Sequence, residues 1–160
     1  MKRILSSLVL LLAAVFPAAA ATGVAQIKGT YYFSITGITT VGGYYSGSTW
    51  HYVNGTCPKG ETCQNQTFQK VTVGTISFNG EGKATFLTVA QYDPSGEPNS
   101  GGPVKGTVWP YTVSGFNGLL GTESNGAAMV LGAFNASGIA SVVQFFIADT
   151  NPKTGVATLQ

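Results

Sequence analysis

Residues 71–92 read VTVGTISFNGEGKATFLTVAQY and predict a β-hairpin. Residues 71–78 and 83–92 alternate between apolar and polar side chains, and the glycines of residues 79–82 (NGEG) allow the positive φ angles of a tight turn. The apolar positions of the first run change phase halfway, and Gly74 lies at the change. We therefore expect a β-bulge at Gly74.

The same alternation continues on both sides of this hairpin. Residues 27–36 predict a half-buried strand whose apolar face carries Tyr31, Phe33 and Ile35. Further strands are predicted at residues 104–114, 119–123, 127–134, 139–148 and 155–159. Asn, Gly, Ser and Pro clusters separate them, and no long helical period occurs. The sequence therefore predicts an all-β fold.

Eight or nine short strands joined by tight turns indicate a single antiparallel meander. We expect this meander to close into an up-and-down barrel, because closure removes both exposed sheet edges. A two-sheet β-sandwich is the structural alternative.

Three segments carry a family resemblance: GTYYF at residues 29–33, ISFNGEGKA at residues 76–84 and WPYTVSG at residues 109–115. They resemble small exported bacterial proteins of the calycin-like barrel type. The resemblance implies a calycin-like barrel, and it assigns no catalytic residue.

The N-terminus has the pattern of a secretory signal peptide. Lys2 and Arg3 precede an apolar run at residues 4–16 and a small-residue stretch at residues 18–21. We expect residues 1–21 to be a signal peptide and residues 22–160 to be a single β-barrel domain. The mature protein is then secreted or periplasmic and has no integral membrane association after cleavage.

Composition excludes several classes of partner. Charged residues make up 9% of the 160 residues, and removal of Lys2 and Arg3 leaves six scattered Lys against six acids. Nucleic-acid binding is excluded because it needs Lys or Arg gathered on one face. A net charge near zero is compatible with a homo-oligomer.

Two cysteines, Cys57 and Cys63, are expected to form a disulfide, which persists in an exported chain. A closed zinc site would need more ligands than these cysteines and the single histidine provide. We therefore predict no metal and no cofactor.

The compositional outlier of the chain is residues 42–52, where aromatic side chains are concentrated. At a barrel mouth they could stack on a ligand, while nearby amides orient it. The candidate ligand-binding residues are Tyr45, Trp50, His51 and Tyr52, with Trp109 and Tyr111 as second candidates. Side chains that simply fill and rim the barrel are the alternative interpretation.

Groups for acid–base chemistry are scarce. His51 is flanked by aromatic residues rather than by a carboxylate or a nucleophile, and no Gly-x-Ser-x-Gly motif is present. Asp93 and Glu97 share a Pro- and Gly-rich loop that could hold paired carboxylates or calcium, or could be a solvated connector. We assign no catalytic residue.

The leading functional hypothesis is a secreted, non-catalytic β-barrel that binds a small apolar or sugar-like ligand at its open end. One alternative is a structural or adhesive extracellular surface protein with a filled barrel. The other is a cyclase- or isomerase-like enzyme, in which the cavity shapes a reactive substrate.

Overall fold

The computed structural model describes residues 21–97, 103–122, 126–148 and 153–160. Residues 1–20, nearly all of the predicted signal peptide, lie outside this part of the chain. A short 3-10 turn, Gly23–Gln26, precedes nine strands and is the one helical element in the described residues, so the all-β prediction is confirmed. The strands are β1 (Lys28–Ser46), β2 (Thr49–Tyr52), β3 (Gln64–Asn79), β4 (Lys83–Tyr92), β5 (Val108–Ser114), β6 (Asn117–Leu120), β7 (Ala127–Phe134), β8 (Ala140–Ile147) and β9 (Lys153–Leu159).

All nine strands belong to one antiparallel sheet that closes on itself. Neighbouring strands follow the order β2-β1-β3-β4-β5-β6-β7-β8-β9, and β1 also pairs with β9. Closure joins β1 to β9, because Tyr31 pairs with Leu159 and Gly37 pairs with Lys153. The fold is thus one ring-shaped sheet rather than the two facing sheets of a sandwich.

The interior of the ring is apolar because alternate residues of each strand point inward. On β1, Tyr31 and Phe33 are buried while Tyr32 is 61% exposed. The buried rings pack edge to face, with Phe33 and Phe86 centroids 5.6 Å apart and Tyr31 and Phe78 centroids 5.3 Å apart. The predicted inward face of β1 is confirmed.

One end of the ring is covered by the N-terminal turn. Ile27 follows this turn and is completely buried, and Val24 packs against the core. The Tyr111 hydroxyl lies 3.0 Å from Val24 O and 2.9 Å from Ile27 O, and can donate to either carbonyl. We refer to this end as the plugged end.

The hairpin between β3 and β4 forms as predicted. Asn79 Oδ1 accepts hydrogen bonds from the backbone N–H groups of Glu81 at 2.8 Å and Lys83 at 3.0 Å. Gly80 and Gly82 have φ angles of 79° and 92°, in the left-handed region that favours glycine.

The predicted bulge at Gly74 is wrong. The irregularity lies between Thr75 and Ile76 of β3, and the extra residue, Leu87, is in β4. Strand β3 keeps its phase: its first valines face outward, and Val73 is 42% exposed. The change of apolar phase in the sequence therefore reflects apolar residues on the outer surface.

Candidate functional site

Strand β1 is longer than the ring, and its second half forms a projection at the end opposite the plug. The pairing of β9 with β1 reaches Gly37, whereas β3 pairs with β1 as far as Gly43. Strand β2 then pairs with the last residues of β1. We refer to residues 38–70 as the arm and to this end of the ring as the arm end.

A disulfide closes the loop between β2 and β3. Cys57 and Cys63 are bonded, with their Cα atoms 5.8 Å apart, so the predicted disulfide is confirmed. Because the sequence separation is 6, the bond restricts the shape of this loop rather than joining distant elements.

Strand alternation in the arm produces two faces. The inner face continues the ring interior and carries an aromatic cluster of Tyr45, Trp50 and Phe68. Ring centroids are 5.2 Å apart for Tyr45 and Trp50 and 5.3 Å apart for Trp50 and Phe68. Gly43 makes room for the cluster, since a Cβ at this position would collide with the Trp50 indole.

The outer face carries a second aromatic pair. Tyr44 and His51 are cross-strand partners, and their rings stack with centroids 5.1 Å apart and an interplanar angle of 16°. Further along this face, the hydroxyls of Thr40 and Thr67 are 2.8 Å apart and hydrogen-bonded. Adjacent residues in the sequence therefore belong to different surfaces.

A short segment after β4, residues 93–97, lies against the inner face of the arm. We refer to it as the clasp loop. The indole Nε1 of Trp50 donates to Ser95 O at 3.1 Å, and Ser95 is completely buried. Ser95 Oγ donates to Asp93 Oδ1 at 2.6 Å and accepts from the Glu97 backbone N–H at 3.2 Å. These bonds satisfy the buried serine and hold the shape of the loop.

Two ion pairs join the clasp loop to the arm. Lys70 Nζ lies 2.7 Å from Asp93 Oδ2 and 3.0 Å from Glu97 Oε2, and the Lys70 side chain is 12% exposed. Asp93 and Glu97, for which the sequence left paired carboxylates, calcium or a solvated connector open, are therefore both engaged by one ammonium group.

The electrostatics of the pair favour both charged forms. Burial lowers the pKa of Lys70, but the hydrogen bonds and charges of Asp93 and Glu97 outweigh it and raise that pKa above its ordinary value. Burial likewise raises the pKa of Asp93, and the bonds from Lys70 and Ser95 outweigh it and lower that pKa. Lys70 and Asp93 are thus both ionised near neutral pH.

Trp109 and Tyr111, the second candidates, lie inside the ring at different depths. The Trp109 ring packs edge-on against Phe86, at 5.2 Å, and borders an apolar cavity of about 30 Å³ together with Ile35, Pro103 and Ile147. Tyr111 is 2% exposed and bonds to the plug. Burial raises the pKa of Tyr111, so its hydroxyl stays neutral.

The six candidate residues therefore occupy three places. Tyr45, Trp50 and Tyr52 lie on the inner face of the arm, His51 lies on the outer face, and Trp109 and Tyr111 lie in the ring. Sequence reasoning missed Tyr44, Phe68 and Lys70. Alternation would have placed Tyr44 opposite Tyr45, but no local signal connects Lys70 to a loop more than twenty residues later.

The titratable side chains of the site contact other side chains. His51 stacks on Tyr44, and the carboxylates of the clasp are paired with Lys70. Within the described ranges, no group of three or more His, Cys, Asp or Glu could hold a metal ion. No helix in this same part of the chain is long and apolar enough to cross a membrane.

Comparisons with protein-family models, curated proteins and solved structures gave no match to the chain.

Proposed function

We propose that this chain is an exported, non-catalytic, calycin-like β-barrel protein that binds a small ligand at the arm end, on the arm rather than inside the ring. The observation that carries the proposal is the contrast between the packed apolar core of the described ring residues and an arm with accessible aromatic and polar groups. His51 and Thr67 are exposed on the arm, whereas the ring side chains pack on one another.

Size supports a site outside the ring. The apolar cavity beside Trp109 has a volume of about 30 Å³. Pockets that enclose a drug-sized ligand have volumes of roughly 300–1,000 Å³. The cavity has about a tenth of the smallest of these volumes, so the body of a ligand would lie outside it.

The chemistry of the interior supports a non-catalytic role. Tyr31 and Tyr111 are buried tyrosines of the ring, and their hydroxyls hydrogen-bond to backbone carbonyls. Burial raises the pKa of Tyr31 to about 12 despite the opposing backbone hydrogen bond of Lys28. At neutral pH a hydroxyl with this pKa stays protonated, so it does not act as a general base. The Cys57–Cys63 disulfide supports export to an oxidising compartment.

Native mass spectrometry of gently purified protein, with two variants, tests the proposal. Tyr44→Ser truncates the outer face of the arm, whereas Ala127→Val fills the cavity, which Ala127 lines. We expect a retained extra mass in the parent protein, its loss in Tyr44→Ser and its retention in Ala127→Val. If Ala127→Val is the one variant that loses the extra mass, the ligand lies in the ring. A parent protein that carries no extra mass would contradict ligand binding.

A second candidate function, adhesion or self-association, is favoured by the outer wall of the ring. A row of five cross-strand partners crosses β3, β1, β9, β8 and β7 in that order. It consists of Val73, Ser34, Val156, Gln144 and Val130. The three valines are 39–42% exposed, and the row carries no charge. Sedimentation velocity over a concentration series tests this function. We expect association that Val156→Lys abolishes, and a strict monomer would contradict it.

A further inference from the structure

Gly42 occupies an unusual position in the outer face of the arm. Glycine weakens a strand interior, and it often marks a place where a ligand or another backbone approaches closely. Gly43 and Gly74 have a packing reason, since a Cβ at Gly43 would strike Trp50 and one at Gly74 would strike Thr88 O, whereas Gly132 of β7 has none. A Cβ at Gly42 would meet Asn65 Oδ1 and Val53 O at 3.8 Å, an ordinary contact, and the φ of Gly42 lies outside the left-handed region.

The missing side chain leaves a notch in the sheet surface. Tyr44 and its stacked partner His51 stand on one side, two residues along β1, and the hydrogen-bonded Thr40–Thr67 pair stands on the other. Asn65 is the cross-strand partner of Gly42 and brings its amide to the notch. The floor of the notch is the backbone of Gly42, so a ligand can approach the sheet more closely here than at the neighbouring positions.

The groups around the notch select for an uncharged, hydroxyl-rich ligand. Threonine hydroxyls and the asparagine amide can donate and accept hydrogen bonds, as sugar hydroxyls also can. The aromatic pair offers apolar surface to the C–H groups of such a ligand. The paired strand residues on the outer face of the arm include no Lys, Arg, Asp or Glu to attract a charged ligand; they are Ile38, Thr40, Gly42, Tyr44, Ser46, Thr49, His51, Asn65, Thr67 and Gln69. The charged residues Lys59 and Glu61 belong to the disulfide loop instead.

We propose that the Gly42 notch binds one residue of a neutral carbohydrate, with the Tyr44–His51 pair against its apolar side and Asn65 and the threonines bonding its hydroxyls. This inference rests on the proposed function and names the ligand class and the face of the arm. It assigns a ligand-binding role to Tyr44, which sequence reasoning did not single out. The inner aromatic cluster then contributes to packing and not to ligand binding.

The structure supplies a blocking variant with a matched control. Gly42→Val places a β-branched side chain, of a type that strands favour, in the notch, where the Cβ itself makes only ordinary contacts. Gly132→Val makes the same change on the outer face of β7, where a Cβ meets nothing within 4 Å and which is distant from the arm. Thermal unfolding of both variants verifies the fold, and we expect Gly42→Val to be at least as stable as the parent protein.

The probe is an array of immobilised neutral oligosaccharides, of the glucan, mannan, xylan and chitin types, with sulfated and carboxylated glycans printed beside them. We expect the parent protein to bind at least one neutral class. Gly42→Val and Tyr44→Ser should each weaken this binding by at least tenfold, and Gly132→Val should leave it unchanged.

Three outcomes would overturn the inference. Binding that is equal in the parent protein and Gly42→Val places the carbohydrate elsewhere. A preference for the charged glycans contradicts the ligand class. If the array gives no signal while native mass spectrometry still finds a retained mass, the ligand is not a carbohydrate and the proposed function stands. If neither experiment finds a ligand, both the carbohydrate inference and the proposed function are wrong.

Discussion

Tyr31 shows at the scale of one residue how the ring interior depends on protonation. Its side chain is completely buried, and its hydroxyl donates to Ala140 O at 2.6 Å, joining β1 to the start of β8. The bond needs the neutral phenol. Burial keeps the phenol neutral and raises its pKa to about 12, above the usual value of 10.0.

We therefore predict a stability difference between the parent protein and Tyr31→Phe that depends on pH. Above about pH 10 the unfolded chain releases the Tyr31 proton while the folded protein retains it. The stabilisation is complete below about pH 10 and decreases towards the folded-state pKa of about 12. At pH 7 the variant should lose about 1–3 kcal/mol, because Ala140 O is left without its partner. Urea unfolding at pH 7, 9 and 11 measures the difference, and a difference that did not shrink at pH 11 would contradict the assignment.

Two adjacent glycines give a second prediction at this scale. Gly43→Ala forces its methyl into the Trp50 indole and the His51 carbonyl, whereas Gly42→Ala meets only ordinary contacts. Overpacking of this kind costs about 1–3 kcal/mol. We expect Gly43→Ala to lower the free energy of unfolding by this amount and Gly42→Ala to leave it unchanged or raise it. Equal effects in chemical denaturation would contradict the assignment of the two faces.

The residue scale also shows what the sequence could reveal. The inward face of the first half of β1 was predictable, because Tyr31, Phe33 and Ile35 alternate with hydroxyl residues in a strand buried on one side. The arm was not, because both of its faces mix Thr, Gly and Tyr. Tyr44 and Tyr45 differ little in sequence terms, yet one stacks outside and the other packs inside.

At the scale of elements, the clasp loop connects β4 to the arm through one cation. In Lys70→Met, the carboxylates of Asp93 and Glu97 would face each other without it. We expect a loss of about 1–2 kcal/mol, reduced from the value of a fully buried pair because Glu97 is 30% exposed. When Lys70→Met is made in a Trp109→Phe background, the fluorescence emission of Trp50 should shift to longer wavelength. Lys105→Met, at an exposed turn, is the control, and an unshifted spectrum in Lys70→Met would contradict the coupling.

The clasp should also respond to pH at both extremes. The pKa of Asp93 is lowered, so its contribution is present above about pH 4 and is lost as the pH falls through the folded-state value. The pKa of Lys70 is raised, so its contribution is present below about pH 10 and is lost as the pH rises further. Trp50 emission followed from pH 2 to 7 should show an acid transition that Asp93→Asn abolishes. A transition that persists in this variant would belong to another carboxyl group.

The contacts of the clasp were beyond sequence reasoning for a physical reason. For Asp93 and Glu97 the sequence left paired carboxylates, calcium or a solvated connector open, because their partner Lys70 is brought near them by the pairing of β3 and β4. Local composition carries no information on such a meeting. The hairpin at residues 79–82 was predictable because all of its determinants, the Asn79 side chain and the two glycines, are local.

At the scale of the whole molecule, ring closure depends on Gly155 of β9. A Cβ at this position would lie 2.6 Å from Ile35 Cγ1 and 2.7 Å from Ser34 O, both on β1. We predict that Gly155→Val separates β9 from β1 and lowers the free energy of unfolding by about 3 kcal/mol or more, as severe core disruptions do. Thermal unfolding and limited proteolysis measure the effect. Val156→Thr, which changes the next, outward residue, is the control, and equal stability of the two variants would contradict the role of Gly155.

Closure was expected in general form, since a meander of short strands with tight turns has two edges to remove. The partners that close the sheet could not be named in advance. Alternation assigns faces, but it does not determine how far a strand continues beyond the ring, and β1 is shared between the ring and the arm.

The pairing of the first ring strand with the last has a consequence for the time course of folding. Every other pairing in the ring joins strands that are consecutive or separated by the short β2, so the meander can form progressively as the chain emerges. Among the strand pairings of the described residues, that of β1 with β9 joins segments far apart in the sequence, and such contacts are slow to form. Until then two strand edges stay available to other chains. A chain of this topology is therefore most vulnerable to aggregation before β9 has paired with β1.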